Sequence, residues 1–145
     1  ALMHMQGTPK TMQQAPTYQD VVGQVQQFLA QRVRTSCAAG IGSGCLLVDP
    51  GFGFGKSLEH NLQMLGNLES LRVDDLPMLV GISRKSMLGA ITGQPVEHRL
   101  ASSVVAAVIA AQSGADLIRV HDVAETADGL KVWSAVASHS SSESN

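Results

Sequence analysis

The run Cys45-Leu-Leu-Val-Asp49-Pro-Gly-Phe-Gly-Phe-Gly-Lys-Ser57 decides how this 145-residue chain is read. Its first four residues are apolar, too few for a helix and bounded by glycine and proline, so they predict a buried strand. Asp49 and the alternating glycines then mark the place where that strand gives way to a loop. Three other stretches follow the same grammar. Leu2-Met-His-Met-Gln6 reads as the tail of a strand, Met78–Ile82 runs into Ser83-Arg-Lys-Ser86, and Leu117–Val120 carries Arg119 and leads to His121. Each apolar run therefore ends in polar side chains, and the carboxyl ends of parallel strands are where α/β folds place their chemistry.

Helical patterns lie between these runs. Val21, Val25, Phe28, Leu29 and Val33 fall at helical spacing in a helix expected from about Tyr18 to Ala39, with Thr17 and Asp20 at its start and Gly40 at its end. Ser57 is the expected N-cap of a second helix carrying Leu58, Leu62, Leu65 and Leu68. A short helix is expected over about 85–91, a longer one over about 97–113, and a last one over about 125–137. The Ser-rich residues 139–145 read as a disordered tail behind a single domain over 1–138. A β/α unit thus recurs four times at roughly 35–40 residues, enough for parallel crossovers. Two architectures suit that pattern, an open doubly wound sheet or half of an eight-stranded barrel. Polar residues at every strand end favour the barrel, because a doubly wound sheet concentrates them at one switch point.

Composition narrows the function classes. A net charge of −2 argues against a nucleic-acid or anionic-membrane surface. No apolar run reaches the roughly 18–20 residues that span a bilayer. No basic segment followed by an apolar one suggests a secretory leader. Cys37 and Cys45 form no metal-binding pair and read as small buried hydrophobes in a reducing compartment. Ala1 stands inside the first strand motif, so the chain reads as a fragment of something longer.

Several residues carry candidate chemistry. Arg119 and His121 are two apart on a strand and share one face, where a guanidinium fork beside an imidazole makes an anion clamp. The alternative is an ion pair of Arg119 with Asp116 or Asp122. Asp49, at the end of a buried run, can accept from an NH/NH2 pair of an amidine-like heterocycle or simply cap its own glycine loop. Gly55-Lys56-Ser57 matches the end of a phosphate-binding GxxxxGK[ST] loop, but the pattern's first glycine falls on Pro50, which lacks the needed amide. The glycines instead let the backbone turn sharply, leaving Phe52, Phe54 or both to cover a pocket. Ser83-Arg-Lys-Ser86 joins a strand to a helix start, where an anion can dock. There Lys85 would project over the strand ends, Ser86 would cap and Arg84 would face solvent. Met3 and Met5 share one strand face, with His4 on the other as a structural residue.

Taken in order, Leu-Met-His-Met-Gln-Gly (2–7), Leu-Leu-Val-Asp-Pro-Gly-Phe-Gly-Phe-Gly-Lys (46–56), Leu-Val-Gly-Ile-Ser-Arg-Lys-Ser-Met-Leu-Gly (79–89) and Ala-Asp-Leu-Ile-Arg-Val-His-Asp-Val (115–123) resemble the C-terminal half of bacterial dihydropteroate synthase. The resemblance covers nearly all of residues 1–138. It implies strands five to eight of a (β/α)8, or TIM, barrel in an enzyme of folate biosynthesis. That enzyme condenses 6-hydroxymethyl-7,8-dihydropterin diphosphate with 4-aminobenzoate and releases pyrophosphate. By implication Asp49 binds the pterin's amino-pyrimidine edge, with Met3, Gly81, Arg119 and Lys85 along the pterin slot, Lys85 also facing the aminobenzoate, and Lys85, Arg119 and His121 are the catalytic residues. Arg119 and His121 hold the diphosphate, and Phe54, Ser83 and Ser86 shape the aminobenzoate side, where sulfonamides would also sit. The resemblance further implies a cytoplasmic homodimer joined through the C-terminal helices, and a magnesium cofactor. The magnesium-binding Asn and two mobile loops of the family belong to its N-terminal half, so no metal ligand is assigned here and the isolated chain is expected to be inactive. A pterin-binding methyltransferase domain and a non-catalytic half-barrel that binds or assembles are the alternatives.

Overall fold

A computed structural model describes residues 1–8, 12 and 16–140. Four short strands alternate with helices. These are β1 (Leu2–Met3), α1 (Val21–Ala38), β2 (Val48–Asp49), α2 (Leu58–Gly66), β3 (Leu79–Val80), α3 (Ser86–Thr92), α4 (Leu100–Gln112), β4 (Leu117–Ile118) and α5 (Val123–Ser140). All pairing is parallel. Leu2 faces Val48, Leu79 faces Leu117, and a single bridge from Val48 to Met78 joins the two pairs, so the strands lie side by side in chain order.

The pleat sorts the side chains. Val48, Met78, Val80 and Ile82 are buried against the helices. Their odd-numbered neighbours face the other way, and there Met3 is 38% and Leu117 43% exposed. One face of the strand layer is thus a packed core and the other is open. Val21, Val25, Leu29 and Val33 of α1 complete the core with Phe52, Met64, Leu68 and Leu71.

Several expected boundaries move, for local reasons. The capping residue of α1 is Asp20, whose carboxylate accepts from the Gly23 amide, so the helix begins at Val21 and not near Tyr18. Gly40 does follow its end in a left-handed conformation, φ +91°. Ser57 caps α2 as expected, with His60 completing a reciprocal capping box. Leu58 and Leu62, however, are each 39% exposed, because the buried stripe runs through Asn61, Met64 and Leu65. Pro95 starts a separate 3-10 turn over Val96–His98, which delays α4 to Leu100. The last helix runs on through Ser140 and takes in the first residues of the expected tail, while 141–145 lie outside the described residues. Cys37 and Cys45 are exposed free thiols, which corrects the expectation of burial: one ends a helix and the other lies in the 3-10 turn Ser43–Cys45.

Helices α4 and α5 pack closely. A Cβ on Gly129 would stand 2.7 Å from Val104 Cγ1, so only glycine allows this approach without a shift. Their outer surfaces keep Val105, Ile109, Val132 and Val136 exposed.

Candidate active site

The carboxyl ends of the four strands bring the sequence motifs to one rim. The glycine loop after β2 is folded against the backbone of residues 4–6. A Cβ on Gly51 would lie 1.9 Å from the His4 carbonyl oxygen, and one on Gly55 2.4 Å from that of Gln6. The Tyr18 hydroxyl donates to the Gly55 carbonyl at 2.8 Å and fixes the far side. Packed this way, the loop sends its two aromatic side chains in different directions. Phe52 is fully buried in the core, and Phe54 stays half-buried with Lys85 Nζ 4.7 Å above its ring centre.

Asp49 is partly buried at the start of this loop. Its Oδ1 accepts from the Gly51 amide at 2.7 Å, while its other oxygen has no hydrogen-bond partner among the described residues. Burial raises its pKa, opposed by the Gly51 hydrogen bond and by Lys85, Lys56 and Arg119. Lys85 Nζ donates to the Phe52 carbonyl. Burial pulls its pKa down to about 8; Asp49 counteracts this and Arg119 adds to it. Asp49, Lys85 and Arg119 therefore belong to one electrostatic group.

Arg119 emerges after β4, where its backbone amide donates to the Val80 carbonyl at 2.9 Å. Both aspartates that could have neutralised it are engaged elsewhere. Asp116 pairs with Arg72 at 3.3 Å, and Asp122 accepts a two-pronged pair from Arg84, Nε to Oδ2 at 3.0 Å. Arg119 is exposed and makes no ion pair among the described residues. Its side chain passes beside Gly81, with Nε 3.7 Å from where a Cβ would stand, an ordinary van der Waals distance.

The turn after β3 departs from expectation at Ser86 and adds partners to Arg84 and Ser83. Arg84 is part-exposed, as expected, but it is also held: it has φ +57°, its amide donates to Ser103 Oγ at 2.9 Å, and its guanidinium pairs with Asp122. Ser83 is buried, and its hydroxyl lies 2.9 Å from His121 Nδ1 while accepting from the His121 amide at 3.2 Å. Ser86 is the exposed first residue of α3 and not its cap; Lys85 occupies the cap position. A cleft of about 670 Å³ opens between these turns, lined by Gly81, Ser83, Arg84, Lys85, Val96, Arg119, Val120 and His121. Asp49, Met3 and Phe54 lie outside its wall, and Lys85 links Asp49 and Phe54 to it.

Comparisons with known proteins give the family. The model of the family described as "pterin binding enzyme" matches residues 1–121. The chain belongs to the pterin binding enzyme family. Within that family it is 51% identical over 136 residues to the dihydropteroate synthase of Haemophilus influenzae, covering 94% of the chain and 50% of that protein. The Escherichia coli K12 dihydropteroate synthase is 49% identical over 137 residues, covering 94% and 49%. A Yersinia pestis dihydropteroate synthase solved with a sulfonamide drug superimposes with a TM-score of 0.92 at 48% identity, covering 95% of the chain and 50% of that structure. One from Burkholderia cenocepacia complexed with 7,8-dihydropteroate gives 0.90 at 46%, covering 97% and 53%. The chain spans about half the length of the curated relatives it matches.

Two residues of the rim carry no assignment from sequence. Lys56, read there only as the end of a failed phosphate loop, is 3% exposed and donates to Gly51 O at 2.9 Å and Phe54 O at 3.1 Å, with His4 Nδ1 at 3.0 Å. It cannot reach a phosphate. Asn61 accepts from the Gly53 amide at 2.8 Å and so braces the same loop. An asparagine on the apolar stripe of a helix was the available signal for it. Among the described residues no cluster of three His, Cys, Asp or Glu side chains could hold a metal, and Asp49 already spends one oxygen on Gly51. A magnesium site does not fit these described residues.

Proposed function

We propose that this chain supplies one side of the active site of a dihydropteroate synthase, as strands five to eight of a (β/α)8 barrel. The observation that carries this reading is an Arg119 guanidinium left free of both neighbouring aspartates, on the cleft wall with Lys85 and His121. Such a group suits a diphosphate. Arg119 and His121 bind it and stabilise the charge that develops as pyrophosphate leaves, with Ser83 holding the imidazole. The free oxygen of Asp49 accepts from the amino-pyrimidine edge of the pterin, beside Met3, Gly81 and Lys85. The 4-aminobenzoate lies towards Phe54 and Ser86, where a sulfonamide would compete with it. Because the Ser83 hydroxyl is bound to His121, it borders that subsite without being spent on it. The chemistry is electrostatic stabilisation and positioning.

The open strand face, with Met3 and Leu117 exposed, supports the half-barrel reading. The magnesium ligand, by the same reading, belongs to the other half. A homodimer would bury Val105, Ile109, Val132 and Val136 on α4 and α5. Two exposed free cysteines suit a cytoplasmic setting. A methyl-transferring pterin barrel would share the Asp49 contact but leave Arg119 without a purpose.

The test joins this chain to the complementary half of the Haemophilus influenzae enzyme. In that chimera Arg119→Ala should weaken pterin diphosphate binding by about 1.5–3 kcal/mol, some ten- to a hundredfold, by titration calorimetry, and leave aminobenzoate binding nearly unchanged. Equal losses for both ligands would count against the assignment.

A further inference from the structure

We propose that Lys56, paired with His4, is the positioning residue that sets the aminobenzoate wall, pinning the glycine loop so that Phe54 stands against Lys85. The inference rests on reading Phe54 as that wall. Lys56 is 3% exposed, and among the described residues it makes no ion pair with a carboxylate. An ammonium buried this way stabilises poorly compared with an apolar side chain of the same length, so its value lies in the geometry it imposes. All three of its N–H groups have acceptors: His4 Nδ1 at 3.0 Å, Gly51 O at 2.9 Å and Phe54 O at 3.1 Å. Two of these acceptors bracket the turn closed by the Phe54 amide on Gly51 O at 3.1 Å, and the third belongs to the residue after β1.

While Lys56 is an ammonium it can only donate, so His4 then offers the Nδ1 lone pair and carries its proton on Nε2. Burial and the neighbouring Lys56 lower the His4 pKa to about 4 and keep the ring neutral. Its ring packs edge-on against Phe28 at 4.9 Å, which fixes the acceptor's direction. Lys85 grips the same loop from the site side through the Phe52 carbonyl, with Nζ over the Phe54 ring. Lys56 holds it from below, and acts on the ligand only through Phe54.

The test labels the chain with 4-fluorophenylalanine, whose three reporters are Phe28, Phe52 and Phe54. Lys56→Met keeps the length and removes every donor. The expected fluorine spectrum has the Phe54 resonance shifted towards its denatured position and broadened, with Phe52, in the core, unmoved. An unmoved Phe54 in a folded Lys56→Met chain overturns the proposal. If all three signals collapse, the variant has unfolded and His4→Leu takes its place: it removes one acceptor only and must move Phe54 in the same direction, an unmoved Phe54 again being fatal. In the chimera, Lys56→Met should raise KM for 4-aminobenzoate about tenfold, the worth of roughly one hydrogen bond, and leave KM for the pterin diphosphate within about twofold. Equal rises in both would show a merely structural role and overturn the proposal. A wild-type chimera that makes no dihydropteroate would sink the functional reading, and the fluorine spectra would still decide the role of Lys56.

Discussion

At the scale of single residues the site is governed by two partly buried amines. Lys56 is drawn down to about 7 and Lys85 to about 8 from an ordinary 10.5, both chiefly by burial. Between these values and 10.5 the unfolded chain holds protons that the folded chain has released, so stability rises with pH across that window. Urea midpoints measured at pH 6.5 and pH 9 should show the increase, and a flat or falling trend would contradict the burial of these amines. Lys85 should titrate near 8 in an NMR pH series of its Nζ-adjacent carbon. Ser83→Ala removes a partner from both the ring and the amide of His121. At about 1–1.5 kcal/mol, turnover of the chimera should fall roughly tenfold with little change in aminobenzoate KM. What could be read in advance at this scale was residue type and direction. Arg119 and His121 share a face because they are two apart on a strand. That Asp116 and Asp122 would be claimed by Arg72 and Arg84 depends on side chains 38 or more residues away, a fact no local pattern carries.

The elements were legible where a pattern spans several turns. The stripe of α1 and the Ser57 cap follow from spacing and from a side chain that can accept a helix amide. Boundaries were less so, because they are settled by competition among neighbouring caps: Asp20 wins over Thr17, and Pro95 inserts a 3-10 turn before α4. Strand length was overstated, since only two residues of each apolar run join a ladder. The glycine loop shows how packing separates glycines that look alike in sequence. Gly51→Ala forces a Cβ against the His4 carbonyl oxygen, whereas Gly40→Ala meets nothing within 4 Å. Both carry positive φ and so share a backbone cost of about 1–2 kcal/mol. Chemical denaturation should find Gly51→Ala the more damaging by at least about 2 kcal/mol, because a backbone oxygen cannot turn aside as a side chain can. Comparable costs would mean that the loop does not press on the strand end.

The whole molecule is a row of four parallel strands with a packed face and an open one. That much follows from four β/α units in sequence, but the open face does not, because apolar odd-numbered residues such as Leu117 look like core until a structure shows nothing lying over them. On the proposed reading those exposed residues would face the other half of a barrel, without which the motifs would not make a working site. In the proposed assignment the pterin edge, the aminobenzoate wall and the diphosphate clamp share one rim, and the residues facing them would come from the other half of a barrel. The most direct measurement is therefore formation of 7,8-dihydropteroate from 6-hydroxymethyl-7,8-dihydropterin diphosphate and 4-aminobenzoate by three proteins: this chain alone, its chimera with the complementary Haemophilus influenzae half, and the same chimera carrying Arg119→Ala. The account predicts no product from the chain, product from the chimera, and a severe loss with Arg119→Ala. Product from the chain alone, or a folded chimera that is silent or indifferent to Arg119→Ala, would contradict it.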